Sequence, residues 1–486
     1  MLVNNRSKAI SLILTAILSL TCLNISAEET ILDYFFDDIS FSDPMSERRF
    51  QHLRARMRDS QIEQAALLAE DLVDQHIELS ETHPIRFGKL LSNLGILLSY
   101  QGFFRDAMAS LDAGLEFVEQ KANPFSNTIL KVTMARGLTQ AELKFYEDAE
   151  ESFRRAQHIS HRNGGVYNPA QLEIINHITR LNLEQGLYTD ADREQNFVLR
   201  ISEQAYGKNS EELIPILDRL GGYFATRGDM IPLTTNLAEF RYYRDSLFRQ
   251  SLDMFRRAIK IIEDNHGVND LRLVEPLRGL ARARLLQITN RGASEAALER
   301  ALSIVESNPD ADIPDRVRAM IYLGDMYTIT GDGRAREVYL KAWTTMQNDP
   351  AYDELQADIF GTPTRLHPEL TGVLYLKRRP DAAVTQDIEL YIDVSYSVKA
   401  NGRVADIHLV DKNVPNEQVR YMRAQLADTR FRPRILDGEL VSTENLMIHQ
   451  IFQVIDDRPV ESNISINEPS DQSNLFPDDE FPQLLR

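Results

Sequence analysis

The series Ala65, Ala107, Ala149 and Ala191 recurs every 42 residues, and Ile62, Phe104, Tyr146 and Tyr188 keep the same register three positions earlier. A period of this length restricts a chain to an array of one supersecondary unit, because each unit leaves an apolar face that only its neighbours can cover. Gly95, Gly137 and Gly221 share a second phase, and Gly102, Gly186 and Gly228 a third. After Gly228 the register jumps by 18 residues and resumes at 42 through Ser251, Ala293 and Ala335. Pairs of antiparallel helices account for the pattern. Small residues at the glycine and alanine phases let two helices approach closely, while Leu111, Phe153, Phe255 and Tyr339, four positions beyond the alanine phase, fill the space between neighbouring pairs. Gly102, Gly186 and Gly228 are expected to end the first helix of a pair.

The stretch LSNLGILLSYQGFFRDAMASLDAG at 91–114 carries Leu94, Gly95, Gly102, Phe104, Ala107 and Leu111, and IYLGDMYTITGDGRAREVYLKAW at 321–343 repeats the order. These residues resemble a tetratricopeptide repeat (TPR) of the longer-helix variety, and the resemblance implies an α-solenoid of about seven hairpins over residues 50–350. It also implies protein or peptide binding along a concave face. The extra residues of the register jump fall within 229–250 and bring Phe240, Tyr242 and Tyr243. Two readings stand for them: a binding loop, or an elongated helix pair packed on its neighbours.

From Ile388 the pattern changes. Ile388, Leu390, Ile392, Val394, Tyr396 and Val398 alternate with polar residues as a half-buried strand requires. Asn401-Gly402 is the signature of a tight hairpin turn with both residues at positive φ, and Arg403 to Val410 would return as a second strand. Val414-Pro415-Asn416 reads as a helix start with Asn416 as N-cap, Val419, Met422 and Leu426 share one face, and LMIHQIFQV at 446–454 forms a third strand. This β-β-α-β order, with NGRVADIHLVD, RFRPRILDG and a closing strand containing Phe452, resembles the C-terminal domain of the TonB family of periplasmic energy transducers. The resemblance implies partner capture by strand addition, with Leu446 to Val454 as the open edge and Gln450 and Gln453 on it. The fold expected is therefore α+β multidomain: a TPR-like array at 50–350, a linker at 351–386 punctuated by Pro363, Pro368 and Pro380, and a TonB-like domain at 387–457.

Arg6 and Lys8 precede an apolar run from Ala9 to Leu23, too short to span a bilayer core of about 30 Å comfortably. Residues 1–27 are read as a signal peptide that directs the chain to the periplasm. An uncleaved anchor, or a lipid on Cys22, would instead tie it to a membrane. Cys22 is the chain's one cysteine, so cleavage after Ala27 would remove thiolate chemistry and disulfides altogether. Residues 28–49 form a lead-in, and 458–486, with Asp471, Asp478, Asp479 and Glu480, an acidic disordered tail. The net charge of −19 argues against nucleic-acid binding.

No G-x-S-x-G turn, Walker loop or H-E-x-x-H motif occurs. His158 and His161 lie three apart on a predicted helix but lack a third ligand, and His408 and His449 on the β module could face one another as a structural pair. The chain is accordingly expected to be non-enzymatic, without cofactor or metal. Arg420, Arg423, Arg430, Arg432 and Arg434 form a local basic cluster that could receive an acidic partner or lipid headgroups, neutralise the acidic tail, or, for Arg432 and Arg434, serve structure. The leading functional reading is a scaffold that binds proteins or peptides, with outer-membrane or periplasmic proteins as partners. The alternative is an energy-coupling component of TonB-dependent transport.

Overall fold

The computed structural model describes residues 30–231, 238–287, 291–347, 349–367, 374–377 and 390–455. The expected signal peptide with Cys22, the expected acidic tail, residues 232–237 of the insertion and part of the expected linker lie outside the described residues. The chain divides into two compact units, one running to Met326 and one containing Tyr327 to the C-terminus.

The first unit opens with a short 3-10 turn, η1 (Ile31–Tyr34), followed by helical pairs. These are α1/α2 (Pro44–Arg58, Ile62–Gln75), then after the one-turn α3 (Leu79–Thr82), α4/α5 (Pro84–Tyr100, Phe104–Glu119), α6/α7 (Asn127–Glu142, Tyr146–Gly164) and α8/α9 (Leu172–Glu184, Tyr188–Tyr206). The pairs continue with α10/α11 (Ile214–Asp229, Ala238–His266) and α12/α13 (Val274–Gln287, Arg291–Ser307), and α14 (Ile313–Thr330) follows. Ile62, Phe104, Tyr146 and Tyr188 are each the first residue of a second helix. Ala65, Ala107, Ala149 and Ala191 are fully buried. A Cβ on Gly95 would lie 2.7 Å from Leu111, one on Gly137 2.7 Å from the Phe153 ring, and one on Gly221 2.7 Å from the Phe255 ring. In α4/α5, α6/α7 and α10/α11 the large residue therefore packs on the small one inside the pair, a contact that the period alone places between neighbouring pairs, and Phe255 also reaches Gly279 of α12.

The turns inside the pairs share one backbone conformation whatever residue is present. Ser60, Gly102, Lys144 and Gly186, spaced by 42, all have positive φ. Gly228 departs from the expected role. It lies inside α10, and its Cα faces the Phe248 ring, which would be 3.0 Å from a Cβ there. The physical reason is the insertion: the chain after Gly228 does not turn at once, so α10 continues to Asp229. The inserted residues described at 238–250 lengthen α11 at its N-terminus to 29 residues in all, the elongated-helix alternative.

The second unit holds the last turn of α14, α15 (Ala335–Met346), α16 (Asp353–Phe360) and the strands. A four-stranded sheet has the order β2-β8-β3-β4, formed by β2 (Leu374–Lys377), β3 (Leu390–Val398), β4 (Val404–Lys412) and β8 (Thr443–Ile455). β3 pairs antiparallel with β4 and β8, whereas β2 runs parallel to β8. Helix α17 (Asn416–Asp428) buries Val419, Met422 and Leu426 against Ile392, Val394, Val398 and Phe452. Asn416 is its first helical residue, with Pro415 in the cap position. Two small pairings complete the unit: β1 (Thr364–His367) with β5 (Arg430–Arg432), and β6 (Arg434–Leu436) with β7 (Glu439–Val441). Residues 351–386, expected as a linker, therefore contribute α16, β1 and β2.

The turns also differ from the sequence reading. At 399–403 only Gly402 has positive φ, and Lys399 and Arg403 close a three-residue loop through a 2.9 Å backbone bond. The two-residue turn with both positions at positive φ is Asp437-Gly438, between β6 and β7. Gly402 is irreplaceable for packing as well: a Cβ there would stand 2.1 Å from the Phe431 carbonyl oxygen. Tyr339 and Phe360 meet edge to face in the same unit, and Tyr339 bonds Thr328 at 3.0 Å.

Candidate functional site

The lead-in segment supplies the most informative geometry. Tyr34, Phe35, Phe36 and Ile39 are buried. Asn93 on α4 accepts the Phe36 N–H at 2.7 Å and donates to the Phe36 carbonyl at 2.9 Å, so one amide side chain takes both polar groups of an extended residue. Lys131 on α6 donates to the Phe35 carbonyl at 3.3 Å. Lys89 on α4 bonds Asp38 at 2.5 Å, and both lysine ammonium groups lie over the Phe36 ring, 5.3 and 5.6 Å from its centre. Toward its N-terminal end the segment packs Tyr34, Ile31 and Leu32 against a cluster that contains Ile96, Met134, Ile174 and Ile178. Residues 31–39 thus cross the first helices of two consecutive pairs, α4 and α6.

Further along the first helices the face becomes polar. Arg219 on α10 donates to Asn176 on α8 at 3.1 Å and to Gln195 at 2.9 Å, and Gln195 donates to Thr179 at 2.8 Å. Thr179 and Gln195 occupy the phases that hold Gly95 with Leu111 and Gly137 with Phe153, so a hydrogen bond replaces the apolar contact in this pair. Burial pushes the His177 imidazole down to about 3, with the Arg180 charge as a smaller cause. Asp218 is pushed up to about 7, chiefly by burial and further by Glu275, against which Arg278 acts in part.

The insertion is anchored by a buried carboxylate. Asp192 on α9 accepts from the Tyr223 hydroxyl at 2.6 Å, from Arg227 at 3.1 and 3.2 Å, and from the Tyr243 hydroxyl. Burial, together with the bond to Asp192, pushes the Tyr243 phenol up to about 12. Of the three aromatic residues singled out in the insertion, Tyr243 is therefore tied inward. Phe240 and Tyr242 are 48% and 70% exposed, with Arg249 over the Tyr242 ring.

The β-unit candidates separate. Arg430 Nη1 donates to the carbonyls of Ala427, Asp428 and Thr429, at the end of α17, and Arg432 donates to Ile359 at 3.4 Å. Arg434 lies on β6 with its Nε buried. All three are half-buried. Gln450 is buried opposite Ile392, Phe452 is in the core, and Gln453 pairs through its backbone with Tyr375 of β2. β8 is therefore not an open edge at residues 452–455, because β2, from the stretch expected to be linker, occupies that side. β4 is the terminal strand of the sheet. His408 stands opposite Ser395, and His449 opposite Asp393, which it bonds at 2.6 Å, so the two histidines do not face one another. His161 bonds Gln171 at 2.6 Å, and His158 packs edge-on to Phe125. Among the described residues no group of three or more His, Cys, Asp or Glu could hold a metal ion, and no helix is long and apolar enough to cross a membrane.

Residues not singled out from the sequence carry the first-helix site. Lys89 and Lys131 are 42 apart, so the period contained a signal for them; Asn93 had none. A second periodic row was also passed over: Phe103, Phe145 and Leu187, in the turns just before the second helices, are 55%, 53% and 42% exposed.

No protein-family model matches the chain, and no curated protein matches it. Solved structures with likeness to it include a tetratricopeptide repeat protein from Parabacteroides merdae, 13% identical with a TM-score of 0.35, covering 65% of this chain and 98% of that one. The quorum sensor NprR from B. thuringiensis is 11% identical with a TM-score of 0.32, covering 65% of this chain and 87% of its own. The C-terminal part of a TPR repeat-containing protein from Cytophaga hutchinsonii is 13% identical with a TM-score of 0.23, covering 55% and 97%. With TM-scores this low, the TPR-like character of the chain rests on the helical pairs and their 42-residue contacts described above.

Proposed function

We propose that this chain is a non-catalytic scaffold of the periplasm whose helical array binds an extended protein or peptide segment across its first helices. The TonB-like β unit engages a second protein. The observation that carries the reading is the hold on residues 31–39: Asn93 and Lys131 grip backbone atoms, which every peptide possesses, while the flanking apolar and basic groups select side chains. The polar face continuing over Asn176, Arg180 and Arg219 offers further donors and acceptors for such a segment.

The test is capture of periplasmic and outer-membrane proteins on the immobilised chain, comparing Arg180→Glu on α8 with Glu116→Lys on the second helix α5. Capture lost only with Arg180→Glu supports binding across the first helices. Capture lost equally in both, or in neither, refutes it.

A further inference from the structure

Resting on that reading, we propose that the strip across α4 and α6 is a recognition site for an extended segment carrying an aromatic pair followed by acidic residues, and that the chain's own Phe35-Phe36-Asp37-Asp38 occupies it as an intramolecular ligand. The backbone is fixed at both polar groups of Phe36 by Asn93 and at the Phe35 carbonyl by Lys131. The two lysines over the Phe36 ring make that position select an aromatic side chain. Phe35 stacks with Phe50 of α1, their ring centres 6.2 Å apart, which selects a second aromatic residue.

The acidic requirement has an independent observation behind it. Asp38 itself lines an open cleft of about 300 Å³ together with His83, Arg86, Lys89 and Lys121. Lys89 is paired with Asp38, whereas Arg86 and Lys121 have no ion-pair partner among the described residues. A basic cleft in a chain of net charge −19 runs against the overall field and is matched by a carboxylate-bearing segment. The occupant is a tethered one. Only a few residues separate Asp38 from α1 at Pro44, so its effective concentration is high and a free segment of the same chemistry binds with an affinity reduced by the fraction of time the strip is open.

The experiment measures fluorescence anisotropy of a labelled synthetic peptide with the sequence of residues 30–41, titrated with the full chain. The wild-type chain is expected to bind the probe at least tenfold more weakly than the Phe35→Ala/Phe36→Ala double variant, whose own segment no longer competes. Adding Asn93→Ala to the double variant is expected to abolish the gain. Circular dichroism checks that the array persists. Asp38→Lys, which alters a side chain 62% exposed and leaves the aromatic core in place, is expected to raise probe affinity in the same direction. Equal affinity in the wild type, the double variant and Asp38→Lys overturns the proposal. Probe binding that ignores Asn93→Ala also overturns it, while leaving intact the broader reading that the array binds peptides.

Discussion

Replacing Asp218 by Asn is expected to stabilise the array at alkaline pH and to do nothing at acid pH. Asp218 lies on α10 with its Oδ1 buried and without a hydrogen-bond partner, and Glu275 from α12 repels its charge more than Arg278 relieves it. Its carboxyl is raised from 3.8 to about 7. Because the folded value exceeds the unfolded one, the native state holds the proton more tightly. The stability is therefore fully present below about pH 4 and falls as pH rises through about 7. At about 1.4 kcal/mol per pKa unit, the shift of roughly three units sets a ceiling on the order of 4 kcal/mol on the destabilisation by the charged form. Asn keeps the shape and removes the charge, so a gain of about 2 to 4 kcal/mol above about pH 8 is expected from the shift in the urea unfolding curve. Near pH 4 the two proteins should coincide within about 0.5 kcal/mol. An equal gain at both pH values, or a loss at the higher one, would refute the assignment of a buried, repelled carboxylate.

Three further perturbations bear on the array. Ala149→Arg places a long charged side chain where α6 and α7 touch, and should cost at least about 3 kcal/mol; an unchanged melting curve would mean that the contact register is wrong. Lys144→Gly relieves a positive φ of 63°, worth about 1 kcal/mol, while losing the exposed Glu184 bridge at 3.2 Å, so thermal unfolding should shift upward slightly. His177→Phe removes an imidazole held neutral by burial at about 3, a group that weakens the fold as pH falls below about 6.5, so the variant should lose less stability than the wild type between about pH 6.5 and 4.

The array was legible because its contacts repeat. Ala107, Gly95 and Leu111 recur in register with their counterparts, so one period specified helix starts, close approaches and fillers together. Gly228 shows the limit of that logic: its phase matched a turn, but the following insertion removed the turn and left the glycine facing Phe248. In the β unit the alternation from Leu390 to Val398 and the buried face of α17 followed from local pattern. The position of β8 did not, since whether a strand is an edge depends on its neighbour, and β2 comes from a short segment far back in the chain. The site on the first helices was equally non-local. Asn93 and Phe36 are 57 residues apart, and nothing around either residue announces the other.

The central claim, that the array takes extended segments across its first helices, is tested most directly by amide hydrogen exchange of the full chain, alone and saturated with a protein captured in the Arg180→Glu comparison. New protection is expected on α4, α6, α8 and α10, with α5, α7 and α9 unchanged. Protection confined to the second helices, or to the β unit alone, would contradict the account.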